Sequence, residues 1–246
     1  MNAAQLLVKC LENEGVEYIF GLAGEENMAV LDALIDSRVR FVPVRHEQGA
    51  AFMADVYGRL SGRAGVCLST LGPGATNLIT GVADANLDRS PLIAITGQVG
   101  LERMHKESHQ YIDVVSVFKP FTKWNTLIHT PNIVPEVVRK AFKIAEAERP
   151  GACHLELPED VAEQAAEGAP VPSHRPVLAD PPAVMIERAA SLIARSRAPL
   201  ILVGNGIARQ RASEALVRFA EKASIPVAYT FMGMGAIPSS HPLSLH

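Results

Sequence analysis

The chain has 246 residues, 48% of them hydrophobic and 20% charged, with a formal net charge of −3. That is enough apolar material for one large domain, or for one domain and part of another. Its Lys and Arg residues are scattered, which excludes the basic footprint of a nucleic-acid binder. No apolar run approaches the roughly 20 residues of a membrane-spanning helix.

The first fourteen residues mix apolar with polar positions at helical spacing and lack the h-region of a signal peptide, so a cytoplasmic setting is expected. Cys10, Cys67 and Cys153 lie far apart in apolar runs, a pattern of buried reduced thiols rather than of a disulfide framework or a zinc site.

In chain order the patterning predicts a helix over 3–14, a strand over 17–20 and a helix over 27–36. A strand over 39–44, a helix over 46–62 and a strand over 65–69 follow. Gly72-Pro73-Gly74 turns the chain into a helix reaching 87, and 91–96 is an apolar strand closed by Gly97. Strands at 121–125 and 152–157 flank a helix over 134–148. This alternation predicts an α/β fold, a doubly wound parallel sheet with helices on both faces. Residues 1–162 form this first domain.

The stretch 163–182 is rich in proline and lacks apolar periodicity, as a linker does. From 183 to 246 the pattern gives a helix over 183–196, a strand over 200–203, a helix over 211–223 and a strand over 226–230. Two strands do not complete a doubly wound sheet, so the second α/β domain is expected to be partial.

Open parallel sheets bind ligands at the carboxyl ends of their strands. Four segments follow predicted strands there: 21–27 (GLAGEEN), 45–51 (RHEQGAA), 69–77 (STLGPGATN) and 96–99 (TGQV). Glu47 opens a helix, where an acid also serves merely to complement the dipole. His46-Glu47 does not continue as a zinc helix, because residue 50 is Ala. His105 and His109 have i,i+4 spacing without a third ligand, so no metal site is assigned. The 72–77 turn either receives an anion at a helix start or simply turns the chain. Gly204-Asn205-Gly206 is a fragment of a dinucleotide fingerprint, with Arg209 where its last glycine should stand.

Taken together, RHEQGAAFMADVYGR, STLGPGATNLITGVADANLDRSPLIAITGQV and RPGACHLELPED closely resemble the pyrimidine-binding domain of thiamine-diphosphate enzymes, and within them the acetolactate synthase group. The resemblance covers 1–161, and 182–238 is similar to the start of that family's middle domain. It implies a carboligase that decarboxylates pyruvate on thiamine diphosphate and joins the two-carbon unit to a second 2-oxo acid, in branched-chain amino acid biosynthesis. Glu47 matches the glutamate that bonds the pyrimidine nitrogen N1′ and favours the imino tautomer. Gly24, Pro73 and Asn77 match residues shaping the cofactor pocket, while Gln98 and Gln110 match glutamines of the active-site cavity. Gly204, Gly206, Thr230, Phe231 and Gly233 match regions that line an FAD site, although a structural turn explains them equally.

The family holds Mg²⁺ with a GDG…NN segment in a third domain, and this sequence contains no GDG. These residues alone are therefore expected to be inactive. The resemblance also implies a homodimer or homotetramer with active sites between subunits, acting on small-molecule 2-oxo acids. Three positions depart from the synthase pattern: His109 where Phe is common, Glu159 where many have Lys, and no Pro before Gly24. They leave open a sister thiamine-diphosphate decarboxylase or acyltransferase. A non-catalytic subunit needing a partner chain, or a regulatory nucleotide-binding module on the same fold, also stays open.

Overall fold

Asn2 starts the first helix, α1 (Ala3–Asn13), by accepting from the Gln5 amide at 2.8 Å, and Gln5 returns the bond to the Asn2 amide at 3.0 Å. This reciprocal cap satisfies two of the helix's orphan donors and fixes where it begins. The computed structural model describes residues 1–174 and 179–245, and the chain falls into two compact units, 1–176 and 177–246.

Six strands form the sheet of the first unit: β1 (Tyr18–Gly21), β2 (Arg40–Pro43), β3 (Gly65–Ser69), β4 (Leu92–Gln98), β5 (Trp124–Leu127) and β6 (Ala152–Pro158). All are parallel, in the spatial order β2-β1-β3-β4-β6-β5. Side chains alternate across it, as a period of two requires. Val66, Leu68, Ile93, Ile95, Cys153 and Leu155 join the core on one face, while Cys67, Leu92, Ala94 and Ala152 join the other. The first face is covered by α1, α2 (Met28–Ile35), α6 (Val134–Glu146) and α7 (Glu159–Glu163), through residues such as Leu7, Val30, Phe142 and Val161. The second is covered by α3 (Glu47–Ser61), α4 (Gly72–Asp88) and α5 (Val114–Phe118). The doubly wound sheet expected from the sequence is therefore present.

The second layer is built from small residues. Ala50, Ala51 and Ala54 of α3 pack with Ala75, Leu78 and Val82 of α4. At Gly81 a Cβ atom would lie 2.6 Å from the Ala51 Cβ, so only glycine permits this approach of the two helices. All three cysteines are buried and free. Burial pushes the Cys10 and Cys153 thiols up to about 12 and the Cys67 thiol higher still, which keeps them protonated and inert.

Two differences from the sequence reading have local causes. The fifth strand runs over Trp124–Leu127 rather than 121–125, because residues 119–121 form a 3₁₀ turn with Pro120, which has no amide to give a ladder, at its centre. The short helices α5 and α7 carry too few residues to display a period. Residues 163–174, proline-marked as a linker, are tied to the first unit: Ala166 donates to the Met1 carbonyl at 2.9 Å, and Asn13 donates to the Val171 carbonyl at 2.9 Å. The rest of that stretch includes 175–178, outside the described residues.

In the second unit β7 (Ile201–Val203) and β8 (Val227–Tyr229) pair in parallel. Leu216 and Ala220 of α10 (Ser213–Ala223) pack on Val203, Val227 and Ile237. The single-turn α9 (Gly206–Arg209) follows β7. Helix α8 (Ala183–Arg195) has no buried residue.

Candidate active site

Strand order reverses between β1 and β3: β2 lies on one side of β1, and β3 with all later strands on the other. Such switch points open a crevice at the carboxyl ends of the strands. The segments after β1 and β3, and the starts of α3 and α4, converge there.

His46 caps α3, its Nδ1 accepting from the Gln48 amide at 3.1 Å, and this puts Glu47 in the first helical turn. Glu47 is only 7% exposed, and its Oε2 accepts from Asn77 Nδ2 at 2.9 Å. A Cβ on Gly74 would lie 3.3 Å from Glu47 Oε1 and 2.9 Å from Thr70 Oγ1; a Cβ on Gly24 would strike Thr70 Cγ2 at 2.1 Å. The fold thus brings Gly24, Glu47 and Asn77 together through Thr70 and Gly74. Asn27, buried, holds the 22–27 loop by donating to the Leu22 carbonyl at 3.0 Å and accepting from the Gly24 amide at 3.1 Å. One turn below the Glu47–Asn77 bond, on both helices, lies the Ala51–Gly81 contact.

Pro73, exposed, occupies the first turn of α4 and fixes its entry; its carbonyl accepts from the Thr76 hydroxyl at 3.0 Å. Gln110 reaches the same turn by its backbone. Its carbonyl lies 2.4 Å from where a Cβ on Gly72 would stand, with Gly72 at φ +47° and Gln110 itself at φ +58°. The Gln110 residue is exposed.

Gln98, at the end of β4, is buried and engaged within the chain. Its amide nitrogen donates to Glu156 Oε1 at 2.7 Å and to the Ile112 carbonyl at 3.1 Å, and its oxygen accepts from the Val99 amide at 3.0 Å. It ties the 99–112 segment, which carries Gln110, to the sheet edge. Burial pushes the Glu156 carboxyl up to about 7, with the Asp113 carboxylate adding to the shift and the Gln98 bond opposing it. Two residues earlier His154, fully buried, stacks on Phe118 at 4.1 Å and shares a hydrogen bond of 2.9 Å with Thr96. Burial pushes it down to about 3, so it is neutral. Glu156 and His154 were not singled out in the sequence. Their signal was period two: polar residues at alternate positions of HLELP share one face of a buried strand.

His105 meets Tyr111 edge-on, ring centroids 5.8 Å apart, and no group of three metal-ligating side chains occurs among the described residues. In the second unit, Gly204 and the 230–233 turn come together. Thr230 donates to the Val203 carbonyl at 2.8 Å, and a Cβ on Gly233 would lie 3.3 Å from the Gly204 Cα. Gly206 opens α9, and Phe231 projects into solvent, 83% exposed.

Chemically, the first cluster offers a secluded carboxylate with one oxygen held by Asn77. The other, Oε1, makes no hydrogen bond among the described residues and borders the space that the missing Gly74 side chain leaves. Such an oxygen can accept a hydrogen bond from a ring nitrogen, or share a proton with it. The starts of α3 and α4 add partial positive charge around it.

A family model described as the thiamine pyrophosphate enzyme N-terminal TPP binding domain matches residues 1–117, and one for the central domain of those enzymes matches 186–246. The chain is similar to a probable acetolactate synthase large subunit of Methanocaldococcus jannaschii, 46% identical over all of this chain and 43% of the relative. It is also similar to an acetolactate synthase large subunit of Corynebacterium glutamicum (41% identical, all of this chain and 40% of the relative). Acetolactate synthase 3, chloroplastic, of Brassica napus is 40% identical over 98% of this chain and 38% of its own. The chain spans less than half the length of these relatives.

Proposed function

The chain belongs to the thiamine pyrophosphate enzyme family, and from that premise we propose that the protein is an acetolactate synthase-like carboligase. It takes pyruvate as donor and a second 2-oxo acid as acceptor. The observation that carries the proposal is Glu47, buried, held through Oε2 by Asn77 and open at Oε1 beside Gly74. Bound thiamine diphosphate supplies the electron sink for decarboxylation and carbon–carbon bond formation. Glu47 holds a proton at the pyrimidine ring nitrogen, and Asn77 keeps its carboxyl in one orientation. Gly24, Pro73 and Gly74 give the cofactor pocket its shape, and Gln110, carried on the segment that Gln98 anchors, borders the reacting substrate.

Mg²⁺ and the diphosphate are assigned to residues other than these. FAD is assigned to Gly204, Gly206, Thr230, Phe231 and Gly233, supported by the junction of Gly204 with the 230–233 turn. A homodimer is supported by the outer side of α3, where Phe52, Met53, Val56 and Leu60 form an exposed apolar stripe beginning one turn after Glu47. No described helix is long and apolar enough to cross a membrane, and a cytoplasmic setting completes the proposal.

One observation favours a second reading, a sister 2-oxo-acid decarboxylase or acyltransferase. Glu159, where many synthases place a lysine, accepts from the Gly100 amide at 3.1 Å and pairs with Arg103 at 3.3 Å. The test is acetolactate formation by the protein as its native source makes it, with pyruvate, thiamine diphosphate, Mg²⁺ and FAD. Product is expected, and Glu47→Gln should lower turnover at least about a thousandfold, within the roughly 10²–10⁴-fold typical of one acid–base group. Turnover of another 2-oxo acid without acetolactate selects the second reading, and near-normal turnover in the variant removes Glu47 from the chemistry.

A further inference from the structure

At the other end of the same strands, where β1, β2 and β3 begin, three arginines converge. Arg38 and Arg40 stand at the entry to β2, Arg63 in the link from α3 to β3, and Gly15, Glu17 and Tyr18 lead into β1. They line a cavity of about 360 Å³. Backbone pairing assembles it: Tyr18 and Arg40 are register partners, and the Arg40 amide donates to the Glu17 carbonyl at 2.9 Å.

Neutral acceptors hold two of the guanidinium groups. Arg38 donates to the Glu12 carbonyl at 2.8 Å, and Arg63 reaches the Gly15 carbonyl at 3.5 Å. The Glu12 carboxylate is already engaged by the Ser37 hydroxyl at 2.7 Å and the Arg38 amide at 3.1 Å. No described carboxylate forms an ion pair with any of the three arginines. Against the single Glu17 carboxylate in the lining, they leave a net of two positive charges.

Like charges that outnumber the carboxylates beside them repel one another and attract an anion. Guanidinium forks match phosphate oxygens two at a time, which a point-charge ammonium does not. The cavity lies in the size range of small-molecule sites, larger than a lone phosphate needs. Tyr18, edge-on to Tyr57 at 6.0 Å, adds an aromatic wall for an organic body.

We infer that this cavity binds the phosphate groups of a phosphorylated small molecule of the nucleoside diphosphate class. The four residues of β1, roughly 13 Å at strand rise, separate its mouth from the crevice of Glu47. The inference therefore stands or falls apart from the carboligase proposal.

The test is calorimetric titration of ADP and inorganic pyrophosphate into the native full-length protein saturated with thiamine diphosphate and FAD, so that both proposed cofactor diphosphate sites are filled. ADP should bind, and its affinity should fall with salt. Arg40→Ala/Arg63→Ala should weaken it at least about tenfold, the loss of one or more charge-assisted contacts. An unchanged melting temperature shows that this variant is folded, and Arg40→Lys/Arg63→Lys provides a second variant that keeps charge but loses the forks. Glu47→Gln should leave ADP binding unchanged. Absence of ADP binding, or equal binding by the wild type and both arginine variants, overturns the inference. Capture of an acidic peptide in place of ADP also overturns it, and pyrophosphate binding as tightly as ADP overturns the role of the Tyr18 wall.

Discussion

Strands β3, β4 and β6 of the first unit bury residues on both faces, whereas β7 and β8 of the second are packed on one side only. In β7, Val203 is in the core while Leu202, its neighbour on the other face, is 68% exposed. Helix α8 has an amphipathic sequence and buries none of it. The same strand–helix pattern thus ends in two different states of packing. Apolar composition on both faces marks a strand suited to burial between two layers; it does not supply the second layer.

The sharpest way to break this contrast is to cut a large side chain from the doubly covered core. Phe142→Ala removes a ring buried between α6 and the sheet and should cost about 3–5 kcal/mol, read as a loss of urea midpoint for the first unit. A loss as small as that of a surface substitution would mean that this face is loosely packed.

A second probe uses the buried titrating pair beneath α5. Folded Glu156 keeps a proton up to about 7 that the unfolded chain loses near 4.5, so its burial removes stability as pH rises across that window. Folded His154 refuses, down to about 3, a proton that the unfolded chain takes up near 6.5, so its burial removes stability as pH falls across that window. The slopes oppose each other between about 4.5 and 6.5. Glu156→Gln should leave the histidine slope alone, with the melting temperature rising from pH 4.5 to 6.5. His154→Leu should do the reverse, falling from pH 5 to 7 by an amount worth about 2 kcal/mol. Flat profiles in both variants would show that neither group is desolvated.

The smallest effect is expected where nothing is covered. Ile186→Ser on α8, at a residue 56% exposed, should change stability by no more than about 0.5 kcal/mol. A larger loss in thermal melting of the native protein would reveal a partner on that helix.

Much of the first unit was legible because its signals are local. Glycine and proline punctuate the strands, and Glu47 and Asn77 each stand on a helix that follows a strand. The pairing of Gln98 with Glu156 was not, since it depends on Thr96 and Glu156 falling opposite each other across β4 and β6, a register no local pattern states. The arginine cavity was hidden for the same reason: Arg38, Arg40 and Arg63 are scattered charges until three strand entries are set side by side. In the second unit the elements were legible, and so was the small burial that two strands allow; which side chains stay exposed was not.

The Ala51–Gly81 contact has a mechanical consequence for the carboxylate above it. Positions 47 and 51 are one turn apart on α3, as 77 and 81 are on α4, so the contact acts as a gauge block between two parallel rods. It sets the clearance at which Glu47 and Asn77 meet. A methyl group added at 81 would pry the rods apart at the gauge and draw the amide away from the carboxylate, detuning the site without touching any atom in it.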